Sequence, residues 1–199
     1  MSKRTVVVAT AAILAVGAAG CGASSSSSTG QPTTAANPNA PEVNPAGDIP
    51  DNQAYVPYRP AGGAFSVKVP EGWARTKAGE AVTFTDKLNA VRVETAPAHA
   101  PLTAREARQR ELPKLAASVK GFQHGGVSTV ARKAGTAVRF SYLAAAKPNA
   151  VTGKTGQDAV ERYVFFHRGK DLVLTLSGPK GADNVDPWKI VTDSVTWSR

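Results

Sequence analysis

The sequence predicts an α+β domain, an antiparallel β-sheet flanked by helices on both faces, and three observations carry that prediction. Short runs rich in Val, Phe, Tyr and Thr alternate apolar with polar residues from Ala64 onward, and Gly, Pro and Asn separate them. One run, Tyr163-Val164-Phe165-Phe166, is apolar at consecutive positions, which places it mid-sheet with cover on each side. Two segments carry helical signals instead: Thr103 with Glu106 three residues on, and Asp186 followed by Pro187. Strands with a helix on each face make an α/β/α sandwich.

The elements run as follows. Residues 1–20 read as a signal peptide: a basic start at Lys3 and Arg4, an apolar stretch from Val6 to Ala19, and small residues before a cleavage point between Gly20 and Cys21. The apolar stretch is short and diluted by Ala and Gly, which argues against a permanent membrane span. Ala18-Ala19-Gly20-Cys21 resembles the bacterial lipobox, with Ala18 where Leu is usual. That resemblance implies that the Cys21 thiol accepts a diacylglycerol, with further acylation by palmitate-type chains after cleavage. Cys21 is the one cysteine of the chain, so no internal disulfide can form, and acylation removes a free thiol from an oxidising compartment. Each buried methylene contributes about 0.8 kcal/mol, so two or three acyl chains hold a protein stably on a bilayer.

Residues 21–54 are rich in Ser, Thr, Pro, Gly and Ala and contain no aromatic side chain. Such a segment buries too little to offset its chain entropy and is expected to be a disordered tether, with a reach of roughly 30 Å. Residues 55–199 are expected to form one domain. Phe65, Val67 and Val69 share one face of a strand over residues 64–69, which Pro70-Glu71-Gly72 ends before Trp73. Strands follow over 81–85 and 90–96, joined by a turn containing Asp86, Lys87 and Asn89. Thr103 and Glu106 open a helix whose Leu112, Leu115, Ala116 and Val119 lie on one face; Pro113 is expected to kink it and Gly121 to end it. Residues 124–132 and 135–143 form a hairpin pair, a loop spans 147–157, and strands over 159–167 and 171–177 meet at a turn placed at Gly169-Lys170. Asp186 is expected to cap the last helix, whose Trp188, Val191 and Val195 form one stripe.

The stretch Phe65-Ser66-Val67-Lys68-Val69-Pro70-Glu71-Gly72-Trp73 resembles the opening strand and turn of the PsbP/Mog1-like superfamily. The order downstream is similar too: a strand pair, a mid-chain helix, a long meander and a closing helix near Trp197. The likeness is to the actinobacterial surface-lipoprotein branch, where a lipobox and a polar tether precede one such domain. It implies an accessory protein without a catalytic motif, and no cofactor.

Chemistry-bearing motifs are sparse. His99, His124 and His167 stand far apart with no metal-ligand spacing. Gly126-Val127-Ser128-Thr129-Val130 lacks the closing Gly of a nucleophile elbow, and Gly153-Lys154-Thr155 lacks the leading Gly of a phosphate loop, since Pro148 stands there. Glu94 and Glu161 fall on different strands. No catalytic or metal site is expected.

Charge is the remaining signal. Of 24 basic residues 22 lie in residues 55–199, against 12 of the 15 acidic ones, a net +10 there. Arg105, Arg108, Arg110 and Lys114 populate the central helix; Lys147, Lys154, Arg168 and Lys170 sit in loops or turns expected to gather at one end of the sheet. In an exported protein this favours an anionic lipid, an acidic glycopolymer or an acidic envelope protein, and sets nucleic acid aside. The expectation is a binding or assembly factor at the outer face of the cell membrane, attached through its N-terminal lipid. The alternative is a carrier holding a lipid or small glycan in a cleft between sheet and helix, lined by Phe140, Tyr142, Phe165 or Phe166.

Overall fold

The structure, a computed structural model, describes residues 46–148 and 153–198. The signal peptide, the Gly20–Cys21 cleavage and lipidation site, and the tether as far as residue 45 lie outside the described residues. Among the described residues there are ten strands: β1 Tyr55–Tyr58, β2 Phe65–Pro70, β3 Ala74–Ala78, β4 Ala81–Thr85, β5 Ala90–Pro97, β6 Gln123–Arg132, β7 Gly135–Ala145, β8 Gln157–His167, β9 Lys170–Pro179 and β10 Thr196–Trp197. Seven form one sheet in the order β3-β4-β5-β9-β8-β7-β6, every neighbouring pair antiparallel. The other three form a second antiparallel sheet, β1-β2-β10.

Alternation along β8 explains the core. Tyr163 and Phe165 point to one face of the large sheet and join Leu172, Leu174 and Leu176 of β9 with Val91 and Val93 of β5. On that face they meet Phe65, Val67 and Val69 of β2 and Trp188, Val191 and Val195. Val160 and Val164 point the other way, with Val138, Phe140, Tyr142 and Val173, and meet Ala107, Leu112 and Leu115 of the central helix and Val119 just after it. The fold is thus mostly antiparallel sheet, and the cover on the first face comes from strands β1 and β2 as well as from the C-terminal helix.

The central helical segment, residues 104–118, opens on the expected capping box: Thr103 Oγ1 accepts from Glu106 N at 3.2 Å while Thr103 N donates to a Glu106 carboxylate oxygen at 3.1 Å. Pro113 acts differently from a simple kink. An α-helical turn, Ala104–Glu106, passes into a π-helical stretch, Ala107–Glu111, and α-helix resumes over Leu112–Ser118. Leu112 N bonds back to Ala107 O, so the wider turn falls just before the residue that lacks an N–H. Ala116 is exposed, not part of the buried face.

Three further expectations need correction. The β8–β9 hairpin turns on Arg168-Gly169, with φ of 46° and 79°, and Lys170 already pairs with His167. Positive φ at both central residues is what a two-residue hairpin of matching twist requires. The C-terminal helix, Val185–Asp193, has Asn184 rather than Asp186 at its N-cap position, and Asn184 makes no side-chain cap. Asp186 lies in the first turn, where its charge suits the helix dipole. Finally, Gly47 and Ile49, assigned to the tether on composition, are buried. Ile49 is 4 % exposed within the first core.

What holds Ile49 is a buried amide cluster. Asn184 Oδ1 accepts from Ile49 N at 2.8 Å, and its Nδ2 donates to Gly47 O and to Asn89 Oδ1, both at 3.0 Å. Asn89 in turn is held by Asp86, which closes the β4–β5 turn. Gly178 of β9 leaves room for this pair: a Cβ there would stand 2.3 Å from Asn89 Oδ1.

Candidate functional site

A cleft of about 510 Å³ opens between the central helix and the large sheet, within the size range of small-ligand sites. Its apolar floor comes from Phe140, Val164 and Val173, whose strands direct them to the helix side, and from Leu102 and Leu115. Its rim is charged: Glu111 and Lys114 from the helix, Arg162 and Asp171 from β8 and β9.

These charges are largely matched within the site. Lys114 Nζ lies 3.0 Å from Glu111 Oε1, an exposed pair contributing about 0–1 kcal/mol. Arg162 donates to Thr175 Oγ1 at 2.9 Å and to Glu94 Oε2 at 3.3 Å, and Arg92 donates to Glu94 Oε1 at 2.9 Å. The Arg92 hydrogen bond foremost, with Arg162 adding to it against the opposing effect of burial, holds the Glu94 carboxyl below its ordinary range. Asp171 is the exception. Its Oδ1 is buried with no hydrogen-bond partner, and burial first, then the Glu111 carboxylate, pushes its pKa up.

The basic residues singled out in the sequence do not gather. Arg105 and Arg110 are exposed on the central helix, and Arg108 is used internally, donating to Val127 O of β6 at 2.7 Å. Lys114 alone of that group lines the cleft. Lys147 and Lys154 flank the loop entering β8, while Arg168 and Lys170 stand beyond its other end; eleven residues of strand separate the two pairs, about 33 Å. Arg168 and Lys170 line a second depression of about 270 Å³ with His167 and Trp197. There the His167 ring stacks on Trp197 at 4.6 Å, and its Nε2 is buried without a partner.

Sequence reasoning missed a third surface. Lys68 of β2, Lys133 of the β6–β7 turn and Lys189 of the C-terminal helix converge with Ile190 on a depression of about 410 Å³. They are remote in sequence, and only the pairing of β2 with β10 and the docking of the helix bring them together, so no local pattern signals them.

The weighed catalytic groups remain apart. Glu94 faces the central helix, whereas Glu161 is on the opposite face, bonded to Arg139 and to the Tyr163 hydroxyl. His124 and His167 lie at opposite ends of the strand set, and among the described residues no three His, Cys, Asp or Glu side chains are grouped as a metal ion needs. Of the aromatics expected in a cleft, Phe140 lines it; Tyr142 lines another depression beside β6, and Phe165 belongs to the core on the other face. Among the described residues no helix is long and apolar enough to cross a membrane.

No protein-family model matches the chain, and no curated protein matches it. Solved structures do. Cyanobacterial PsbP (CyanoP) of Synechocystis sp. PCC 6803 is 14% identical, with 73% of this chain and 94% of that chain covered at a TM-score of 0.54. The Ran-binding protein Mog1p of Saccharomyces cerevisiae is 12% identical, covering 73% and 96% at a TM-score of 0.46. LpqN of Mycobacterium tuberculosis, described as involved in cell envelope biogenesis, is 14% identical, covering 75% and 93% at 0.43. At such identity the likeness to PsbP is one of fold, the fold that Phe65 to Trp73 resembles in sequence.

Proposed function

We propose that this chain is a lipid-anchored, non-enzymatic protein of the cell envelope, held at the outer face of the cell membrane through Cys21. Its domain acts as a binding or assembly factor for a membrane or cell-wall partner. The small residues before Cys21, the polar segment after it and the net positive charge of the domain support the location. The PsbP-like fold, taken as an α/β/α sandwich with helices packed on both core clusters, supports an accessory role by analogy only.

The observation that carries the binding role is the cleft beside the central helix. Its ion pairs are matched internally, its floor is apolar, and Asp171 Oδ1 is left without a partner. An unsatisfied buried acceptor in a concave site costs free energy until a donor reaches it, so the site favours an incoming polar group. A photo-crosslinking residue at Ser118, which lines this cleft, is expected to capture a reproducible envelope partner in intact cells, while the same residue at exposed Gln109 captures less. Absence of any adduct at 118, together with an unaltered envelope when the protein is lost, contradicts the proposal.

One observation favours the carrier reading in a narrowed form. A cleft of about 510 Å³ accommodates a small glycan, and Arg162, Lys114 and Asp171 offer donors and an acceptor for hydroxyl groups. Those same charges make it a poor seat for an acyl chain.

A further inference from the structure

Among the described residues four large apolar side chains stand exposed, and two of them, Val185 at 71 % and Ile190 at 45 %, are on the C-terminal helix. Ile190 shares its depression with Lys68, Lys133 and Lys189. None of these three lysines takes part in an ion pair among the described residues. Of the two carboxylates there, Asp193 lies 3.8 Å from Arg132, which leaves three free cations against Asp186. The described part of the chain begins beside the N-terminal end of the same helix. Asp48 accepts from Asp183 N and Gly47 O accepts from Asn184 Nδ2, two residues and one residue before Val185.

The geometry points to this face, the outward side of the C-terminal helix with Lys68 and Lys133, as the surface that rests on an anionic phospholipid bilayer. The inference builds on the proposal that Cys21 carries lipid. An anchored chain joins the domain beside Val185, and a tether with a reach of roughly 30 Å lets this face meet the bilayer. Lysines at headgroup level with an isolated Ile and Val reaching the acyl boundary are what interfacial contact requires: the cations gain from the negative surface potential and the apolar side chains leave water. Arg105 and Arg110 belong to the helix packed on the other face of the large sheet and cannot touch the same plane.

Vesicle flotation of the mature chain carrying Cys21→Ser tests this, because without lipid any binding reports the domain surface alone. We expect binding to vesicles of equal parts phosphatidylcholine and phosphatidylglycerol, none to phosphatidylcholine alone, and loss of binding at high salt. Lys68→Glu, Lys133→Glu and Lys189→Glu each weaken it by at least about fivefold. Ile190→Ser weakens it further, and Arg105→Glu with Arg110→Glu leaves it unchanged. The substituted side chains on this face are exposed or at its edge, so unchanged thermal unfolding certifies each variant; Lys→Gln replacements give the same order with smaller effects. Equal binding to both vesicles, no binding to either, an equal loss from the central-helix variant, or binding to soluble polyphosphate without binding to vesicles overturns the inference. Because the test protein cannot be acylated, such failure says nothing against lipidation of Cys21, which cell fractionation decides separately.

Discussion

Asn184→Ala is the substitution whose cost follows most directly from the structure. Asn184 and Asn89 are 3 % and 2 % exposed, and the Asn184 amide alone joins three separated parts of the chain. Truncation removes its bonds to Ile49 N, Gly47 O and Asn89 Oδ1 and leaves those partners in an interior that Ile49 helps to fill. A stranded buried group costs about 1–3 kcal/mol, so three partners at the lower figure give about 3 kcal/mol. For a domain of this size each kcal/mol moves Tm by about 2–4 °C, so Tm is expected to fall by about 6–12 °C. Urea unfolding should show a lower midpoint with an unchanged slope. Gly178→Ala supplies a check, since its new Cβ would sit 2.3 Å from Asn89 Oδ1 and break the same cluster from the β9 side. Two variants acting on one cluster should cost less together than the sum of each alone. A loss below about 1 kcal/mol for Asn184→Ala, or strict additivity with Gly178→Ala, refutes the reasoning.

Two more outcomes follow from the charged groups. Arg132→Ala removes hydrogen bonds to Thr192 Oγ1 at 2.9 Å and the Tyr163 hydroxyl at 3.1 Å, and a guanidinium 5.2 Å over the Tyr163 ring; about 2–3 kcal/mol should be lost in urea unfolding, and Lys at this site should recover only part of it. Asp171→Asn should stabilise the domain near pH 7. Burial and Glu111 raise the folded-state pKa of Asp171 above its unfolded value, so ionisation opposes folding as pH rises through that raised value. The gain should vanish in acid below the unfolded pKa, where the carboxyl is neutral in both states; a gain that persists unchanged there contradicts the assignment. Glu94, held low chiefly by Arg92, works in the opposite sense: its contribution is full above the unfolded pKa and is lost as pH falls through the lowered folded one.

Where one face of an element is buried, the sequence showed it. Phe65-Val67-Val69, the doubly apolar β8, the Thr103–Glu106 box and the Trp188-Val191 pair all have an apolar period or a local hydrogen bond that a sequence displays, whereas Val195, expected on the same helical stripe, is buried beyond the helix end at Asp193. Three strands were missed: β10 is only Thr196–Trp197, where the closing helix was expected to end, and the other two have neither signal. All five residues of β3, from Ala74 to Ala78, are exposed at the edge of the sheet, with Arg75 and Lys77 on it, so no alternation marks them. β1 carries Pro57, tolerated because it is an edge strand. Ile49 was unreadable for another reason: a single apolar residue in a polar stretch is buried only because Asn184, 135 positions away, receives its N–H. The sites followed the same division. Lys114 and Phe140 were legible as members of a helix and a strand, whereas Asp171 became notable only once β5, β8 and the helix enclosed it. The expected cluster of Lys147, Lys154, Arg168 and Lys170 dissolved because the antiparallel course of β8 puts its two flanking loops at opposite ends.

The claim on which location, orientation and contact all depend is the lipid on Cys21, and fractionation of cells expressing the chain with and without Cys21→Ser tests it most directly. The unaltered protein is expected to sediment with membranes and to partition into detergent, while the Ser variant appears in the medium or the soluble envelope fraction with its domain folded. Retention of the Ser variant in the detergent phase to the same extent as the unaltered chain contradicts it.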